Sequence, residues 1–141
     1  MESSRVRQIQ EVFNNRLRKD SDANFLCSAI GHSYAVAFMA ALLAKKRGED
    51  PELAAIAGIL HDLYAYMVES YDDHAHKGAV YARNILDTLS ITSDEESEAI
   101  CHAIMVHDDL WKTDGPLDEV LKDADVLHNA LKDPLRPISA S

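Results

Sequence analysis

Apolar positions recur along this chain at intervals of three and four, the period of an α-helix and not that of a strand. Val6, Ile9, Val12, Phe13 and Leu17 predict a first amphipathic helix ending near Lys19. A second runs from about Cys27 to Lys46, with His32, Val36, Met39 and Leu43 on one face and Gly48 as its stop. Asp50-Pro51 is a helix start, the aspartate capping and the proline occupying the first turn, where its missing N–H is harmless. The stripe that follows reads Leu53, Ile56, Ala57, Leu60, His61, Tyr64. A polar stretch at Ser70–Asp73 leads to a fourth helix from about His74 to Leu89. Ser93 with Glu96 forms a capping-box pattern that opens a fifth, reaching about His107. Asp108–Gly115 reads as a loop, and Pro116 begins a sixth helix closed by Asp133-Pro134. No alternating β-branched run and no hairpin signal appears. The expected fold is all-α, a compact bundle of about six helices in a single domain over 1–141, with a core at 25–131 and a frayed tail at 135–141.

Composition narrows what such a bundle does. The 141 residues are 47% hydrophobic and 27% charged, which argues against disorder. Fourteen Lys and Arg against 24 Asp and Glu leave a net charge of −10, a poor match for nucleic acid. No run approaches the roughly 20 uninterrupted apolar residues of a membrane span, and the opening MESSRVRQIQEV lacks a signal core. Cys27 and Cys101 form no CxxC and read as two buried thiols of a reducing compartment. A cytoplasmic location is the expectation.

The informative residues are polar ones that the helical period turns inward. His61 lies four after Ala57, and His107 follows Ile100, Ala103 and Ile104 at helical intervals. Asp125 lies four after Leu121; His32 shares a face with Val36 and Met39; His76 stands four before Val80. His102 and Asp123 fall outside these stripes. Asp62 sits about 100° around the helix from His61, near enough for both side chains to meet one cation. A single inward histidine is ordinarily a hydrogen-bonded core residue. Five inward polar groups from five helices would each need a buried partner, and a metal centre satisfies them together.

The ordered set His32 in AIGHSYAVA, His61-Asp62 in AGILHDLYA and Asp125 in LKDADVLHN resembles the signature of the HD-domain superfamily of metal-dependent phosphohydrolases. His76 in HKGAVYARNIL and His107 in AIMVHDD are similar to the added histidines of its dinuclear-metal subgroup, as in bacterial HD-class dinucleoside-tetraphosphate hydrolases. Ala65 stands where those enzymes commonly carry lysine. The resemblance implies one metal on His32, His61, Asp62 and Asp125 and another on Asp62, His76 and His107, with Asp62 bridging and Asp62 and Asp125 catalytic. His74 opens the same helix as His76, but only His76 is followed by Gly78-Ala79 in the expected register. Imidazoles and carboxylates without thiolate suit one or two divalent ions among Fe, Mn, Co, Ni and Zn. The implied reaction is hydrolysis of a nucleotide or other small phosphate ester by a metal-bridging hydroxide.

Two rivals share this pattern: an HD-type diiron oxygenase resembling inositol oxygenase, and a module that binds nucleotide or metal without turnover. Lys77, Arg83 and Lys122 are weaker candidates for substrate contact. His128, one turn after Asp125, fits a hydrogen-bond partner of a metal ligand or a plain core histidine, and Tyr64 and Tyr66 fit pocket walls or packing. Asp108, Asp109 and Asp123 read as solvated acids or, with Trp111, as a pocket rim, the loops at Ser70–Asp73 and Asp108–Gly115 being expected over the site. The expected partner is a small phosphorylated molecule, with no nucleic acid polymer and no membrane; a homodimer is compatible with the reading.

Overall fold

Seven helices account for the secondary structure of the residues described by the computed structural model, 4–17 and 21–135, and no strand occurs among them. They are α1 (Arg5–Arg16), α2 (Ala23–Arg47), α3 (Pro51–Leu60), α4 (Leu63–Val68), α5 (His74–Leu89), α6 (Asp94–Val106) and α7 (Pro116–Leu131). The all-α bundle expected from the sequence is present. The additional element is α4, because the third apolar stripe does not run through Tyr64 as one helix but breaks after Leu60. Of the expected tail, only Leu135 lies within the described residues.

Local chemistry sets the boundaries. Ser4, Asp22, Asp50 and Ser93 each accept a backbone N–H from the helix they precede. Ser93 and Glu96 complete the capping box reciprocally, at 3.1 and 2.9 Å. Gly48 ends α2 in the left-handed conformation, φ 76°, where a Cβ would be strained.

α3 is the axis of the bundle, packing against α1, α2, α6 and α7, with every residue from Ala54 to Leu60 buried. The sequence Ala54-Ala55-Ile56-Ala57-Gly58 explains how so many neighbours fit. A Cβ on Gly58 would lie 2.7 Å from Ala37 Cα and 2.8 Å from Ala37 N. The α2 and α3 backbones therefore touch at Gly58, and that contact brings His32 Nε2 on α2 to 3.2 Å from His61 Nε2.

α2 is long and apolar enough, by length and composition alone, to cross a membrane, so the sequence-stripe argument against a span does not hold for it. One face nevertheless packs on α3 and α7 and buries His32 and Ser33, as a core helix of a folded bundle does. The expectation of two buried thiols is also corrected. Cys27 is exposed on α2, and Cys101 is half-buried, its thiol pushed up to about 11 by burial.

Arg5 ties three elements together. Its guanidinium donates to Glu52 of α3, to Glu96 of α6 at 2.8 Å and to the Ile91 carbonyl at 3.2 Å. Hydrogen bonding to Arg5 and to the Ser93 backbone holds the Glu96 carboxyl down at about 2. A carboxyl with a lowered folded pKa stabilises the fold above its ordinary value of 4.5 and loses that contribution as pH falls towards 2. Thermal melts from pH 6 to 2.5 are expected to show an acid-side loss in the wild type that is shallower in Arg5→Ala. At neutral pH that variant should be less stable by about 1–2 kcal/mol.

Candidate metal centre

Four histidines reach the same point from α2, the α3–α4 turn, the start of α5 and the end of α6. Three are held alike. His61 Nδ1 donates to Gly58 O at 2.6 Å, His107 Nδ1 to Ile104 O at 2.6 Å, and His74 Nδ1 to Tyr71 O at 2.9 Å. In its neutral form, a ring tied by Nδ1 to the carbonyl three residues back has a fixed tautomer and offers Nε2 as its ligand atom. For His32, Nδ1 lies 2.7 Å from His128 Nδ1. Burial and the neighbouring His32 lower the His128 pKa, disfavouring its charged form.

The carboxylates occupy the space between these nitrogens. Asp62 Oδ2 is 3.2 Å from His61 Nε2 and 3.6 Å from His32 Nε2. Its other oxygen, Oδ1, is 3.4 Å from His107 Nε2 and 3.5 Å from His74 Nε2. Asp125 Oδ1 lies 2.9 Å from His32 Nε2 and 3.4 Å from His61 Nε2. Asp62 thus faces one imidazole pair with each oxygen, and Asp125 closes the first pair.

The electrostatics describe a cluster built for positive charge. Burial raises the cost of ionising Asp62, yet His61 and His107 outweigh it and hold the carboxyl well below its ordinary range. Burial likewise opposes a charged His61, but Asp62 and Asp125 raise its pKa well above the ordinary value. Asp125 is also lowered, by His32 and His61 against its own burial.

The donor set fits a metal. His32, His61 and Asp62 form one group whose ligand atoms lie within 4.8 Å of one another, as do His61, His107 and Asp125, and Asp62, His74 and His107. Asp62 Oδ1 and Asp125 Oδ1 are buried without a hydrogen-bond partner among the described residues, a costly state that a cation between them relieves.

Of the residues expected from the sequence, His32, His61, Asp62, His107 and Asp125 come together as the helical period indicated. His76 does not. Its side chain is 67% exposed and bonds Asp73 at 2.7 Å, while His74 takes the place beside Asp62. The expectation relied on Val80 as an inward position, but Val80 is 65% exposed, and α5 buries Ala75, Gly78, Ala79 and Ala82 instead. His74 lies one turn before Gly78 on that buried face. Alanine at His76 is accordingly expected to leave bound metal unchanged, whereas His74→Ala should lose about half of it, as read by elemental analysis of the two variants.

The three cations expected near substrate also lie elsewhere. Lys122 is 2% exposed and donates to Lys112 O at 2.7 Å and Asp114 at 2.8 Å, with Glu119 at 3.0 Å. It fastens the 108–115 loop to α7. Arg83 pairs with Asp87 and Asp94, and Lys77 is exposed; neither lines the cavity. His102, as expected, points away and bonds Asp118; Asp123 pairs with Arg47.

Above the cluster lies a cavity of about 360 Å³. Its floor is His32, Asp62, His74, His107 and Asp125; its walls include Phe25, Tyr66 and Tyr71; Asp108, Asn129 and Lys132 lie along α7 and the preceding loop. Tyr71 and Asp108 belong to the two loops expected over the site. Tyr64 packs against Tyr81 instead, and Trp111 is exposed away from the cavity. Asn129 and Lys132 were not singled out from sequence, although they follow Asp125 at i+4 and i+7 on one helix face.

The HD-domain family model matches residues 29–130, the stretch that carries this His/Asp cluster. The chain belongs to the HD-domain superfamily of phosphohydrolases. It is 34% identical over 116 residues to a Bacillus subtilis (strain 168) protein named "Putative phosphohydrolase YueE", covering 71% of this chain and 65% of that protein. The chain therefore spans a little under two thirds of that relative's length. Its fold is similar to the crystal structure of a predicted HD superfamily hydrolase from an uncultured Thermotogales bacterium. The TM-score is 0.71 at 28% identity, over 88% of this chain and 67% of that one.

Proposed function

We propose that the protein is a phosphohydrolase with a dinuclear metal centre, acting on a nucleotide or another small phosphate ester. The observation that carries this reading is the disposition of Asp62, with one oxygen towards His32 and His61 and the other towards His74 and His107. His32, His61, Asp62 and Asp125 would hold one cation, and Asp62, His74 and His107 the other. Such ions supply Lewis acidity at the phosphoryl oxygens and a water acidified towards neutral pH. The chain itself orients the rings of His61, His74 and His107 through their Nδ1 contacts to backbone carbonyls, presents both carboxylates, and walls the cavity with Phe25 and Tyr66. Burial and nearby Asp62 push the Tyr66 phenol up, so it stays a neutral wall and hydrogen-bond donor.

Phosphate release from a panel of nucleotides and small esters, measured without oxygen after loading with Mn²⁺, Co²⁺, Ni²⁺ or Fe²⁺, tests the proposal. Turnover under those conditions supports it. Oxygen uptake with a polyol and no phosphate release would transfer the site to the oxygenase reading, and a nucleotide bound and recovered intact would make it a binding module.

A further inference from the structure

Among the described residues, the cavity lining carries three carboxylates and one lysine or arginine. Asp62, Asp108 and Asp125 contribute carboxylates; Lys132 is the one Lys or Arg among the described lining residues. Two other cations on or against α7 are paired, Lys122 with Asp114 and Glu119 and Arg47 with Asp123. Lys132 makes no ion pair among the described residues, in a chain with a net charge of −10.

Its position relative to the metal ligands is fixed by α7. Asp125, Asn129 and Lys132 stand at i, i+4 and i+7, so one face of the helix presents a ligand carboxylate, then a neutral amide, then a cation. At 1.5 Å per residue, Lys132 lies about 10 Å along the axis from Asp125. A phosphoryl group held over the Asp62–Asp125 cluster is therefore too far away to be the natural partner of Lys132. A second anionic group on the same molecule, roughly two helical turns further out, is within its reach.

We propose that Lys132, assisted by Asn129, forms an anion subsite that selects phosphate esters carrying a second anionic group, such as a further phosphate or a carboxylate, remote from the scissile phosphate. This rests on the phosphohydrolase reading and adds the substrate class. Lys132 also caps the C-terminus of α7, where a cation favours the helix dipole. A purely structural role would alter stability but not discriminate between ligands.

The test compares two non-hydrolysable probes by calorimetric titration of the metal-loaded protein: methylphosphonate, with one anionic group, and hexane-1,6-bisphosphonate, with a second one at the far end of a chain of about two helical turns' length. Wild type should bind the bisphosphonate at least about tenfold more tightly, the worth of one charge-assisted contact. Lys132→Gln should lose that advantage while binding methylphosphonate as before, and Lys132→Arg should keep most of it. Equal effects of Lys132→Gln on both probes, or none on either, would overturn the subsite. A wild type that binds methylphosphonate without preferring the bisphosphonate would overturn the subsite and leave the phosphohydrolase reading standing. Failure to bind methylphosphonate at all would remove both.

Discussion

Replacing Asp62 with alanine is expected to reduce phosphate release by three orders of magnitude or more and to lower bound metal from two equivalents to one or none. Both oxygens of this carboxylate face imidazole pairs, and its Oδ1 has no hydrogen-bond partner among the described residues. Its loss therefore removes the carboxylate that has one oxygen towards each imidazole pair. A thousandfold fall corresponds to about 4 kcal/mol of transition-state stabilisation, within the range expected when a shared metal ligand is lost. Circular dichroism of the same variant separates this from unfolding. Asp62→Ala protein that kept wild-type turnover and metal content would show that the centre has been wrongly drawn. Alanine at Asp125 should be milder for the second group, because Asp125 Oδ1 makes its close contacts, 2.9 and 3.4 Å, with His32 and His61.

Alanine at Gly58 carries the second largest expected effect, and it joins fold to chemistry. The added methyl group would meet Ala37 backbone atoms at 2.7 and 2.8 Å, and backbone on a buried helix cannot swing aside as a flexible side chain can. Forcing α2 and α3 apart should destabilise the protein by about 1–3 kcal/mol, read as a lowered urea midpoint with little change in slope. The same displacement separates His32 from His61 and disturbs the Gly58 carbonyl that orients the His61 ring. Metal affinity should fall in the protein that remains folded. A Gly58→Ala variant with unchanged stability and metal content would mean that the α2–α3 contact is looser than described.

Most of this arrangement was legible in the chain because its elements obey short-range rules. The capping box at Ser93, the Asp50-Pro51 start and Gly48 are local signals, and each marks a real boundary. His32, His61, His107 and Asp125 were found by period alone, since each continues an apolar stripe that tertiary packing then buries. The miss at His76 shows where period fails. α5 is an alanine- and glycine-rich helix whose buried face, Ala75, Gly78, Ala79 and Ala82, is made of its smallest residues, while the larger Val80 faces outwards. Small side chains are inward there because α5 packs closely on α4 and α6, a tertiary fact that hydrophobicity does not encode. The left-handed Asp73, φ 50°, which starts α5 and turns His74 towards Asp62, carried no glycine to announce it. The split between α3 and α4 was hidden for a related reason. Asp62 leaves helical geometry at φ −114°, ψ 4° to bring its carboxylate under the histidines, although the residues around it remain apolar. Lys132 escaped notice because a lysine near a helix end looks like an ordinary exposed charge until the cavity is seen beside it.

The central claim is that Asp62 is shared between two metal positions. Its most direct test is the number and identity of metal ions per chain, by elemental analysis of wild-type protein purified without a histidine tag, chelator or added metal. About two equivalents of divalent transition metal per chain, falling to about one in His74→Ala, is the predicted result. Protein that is metal-free as isolated and takes up none of Mn²⁺, Fe²⁺, Co²⁺, Ni²⁺ or Zn²⁺ would contradict it.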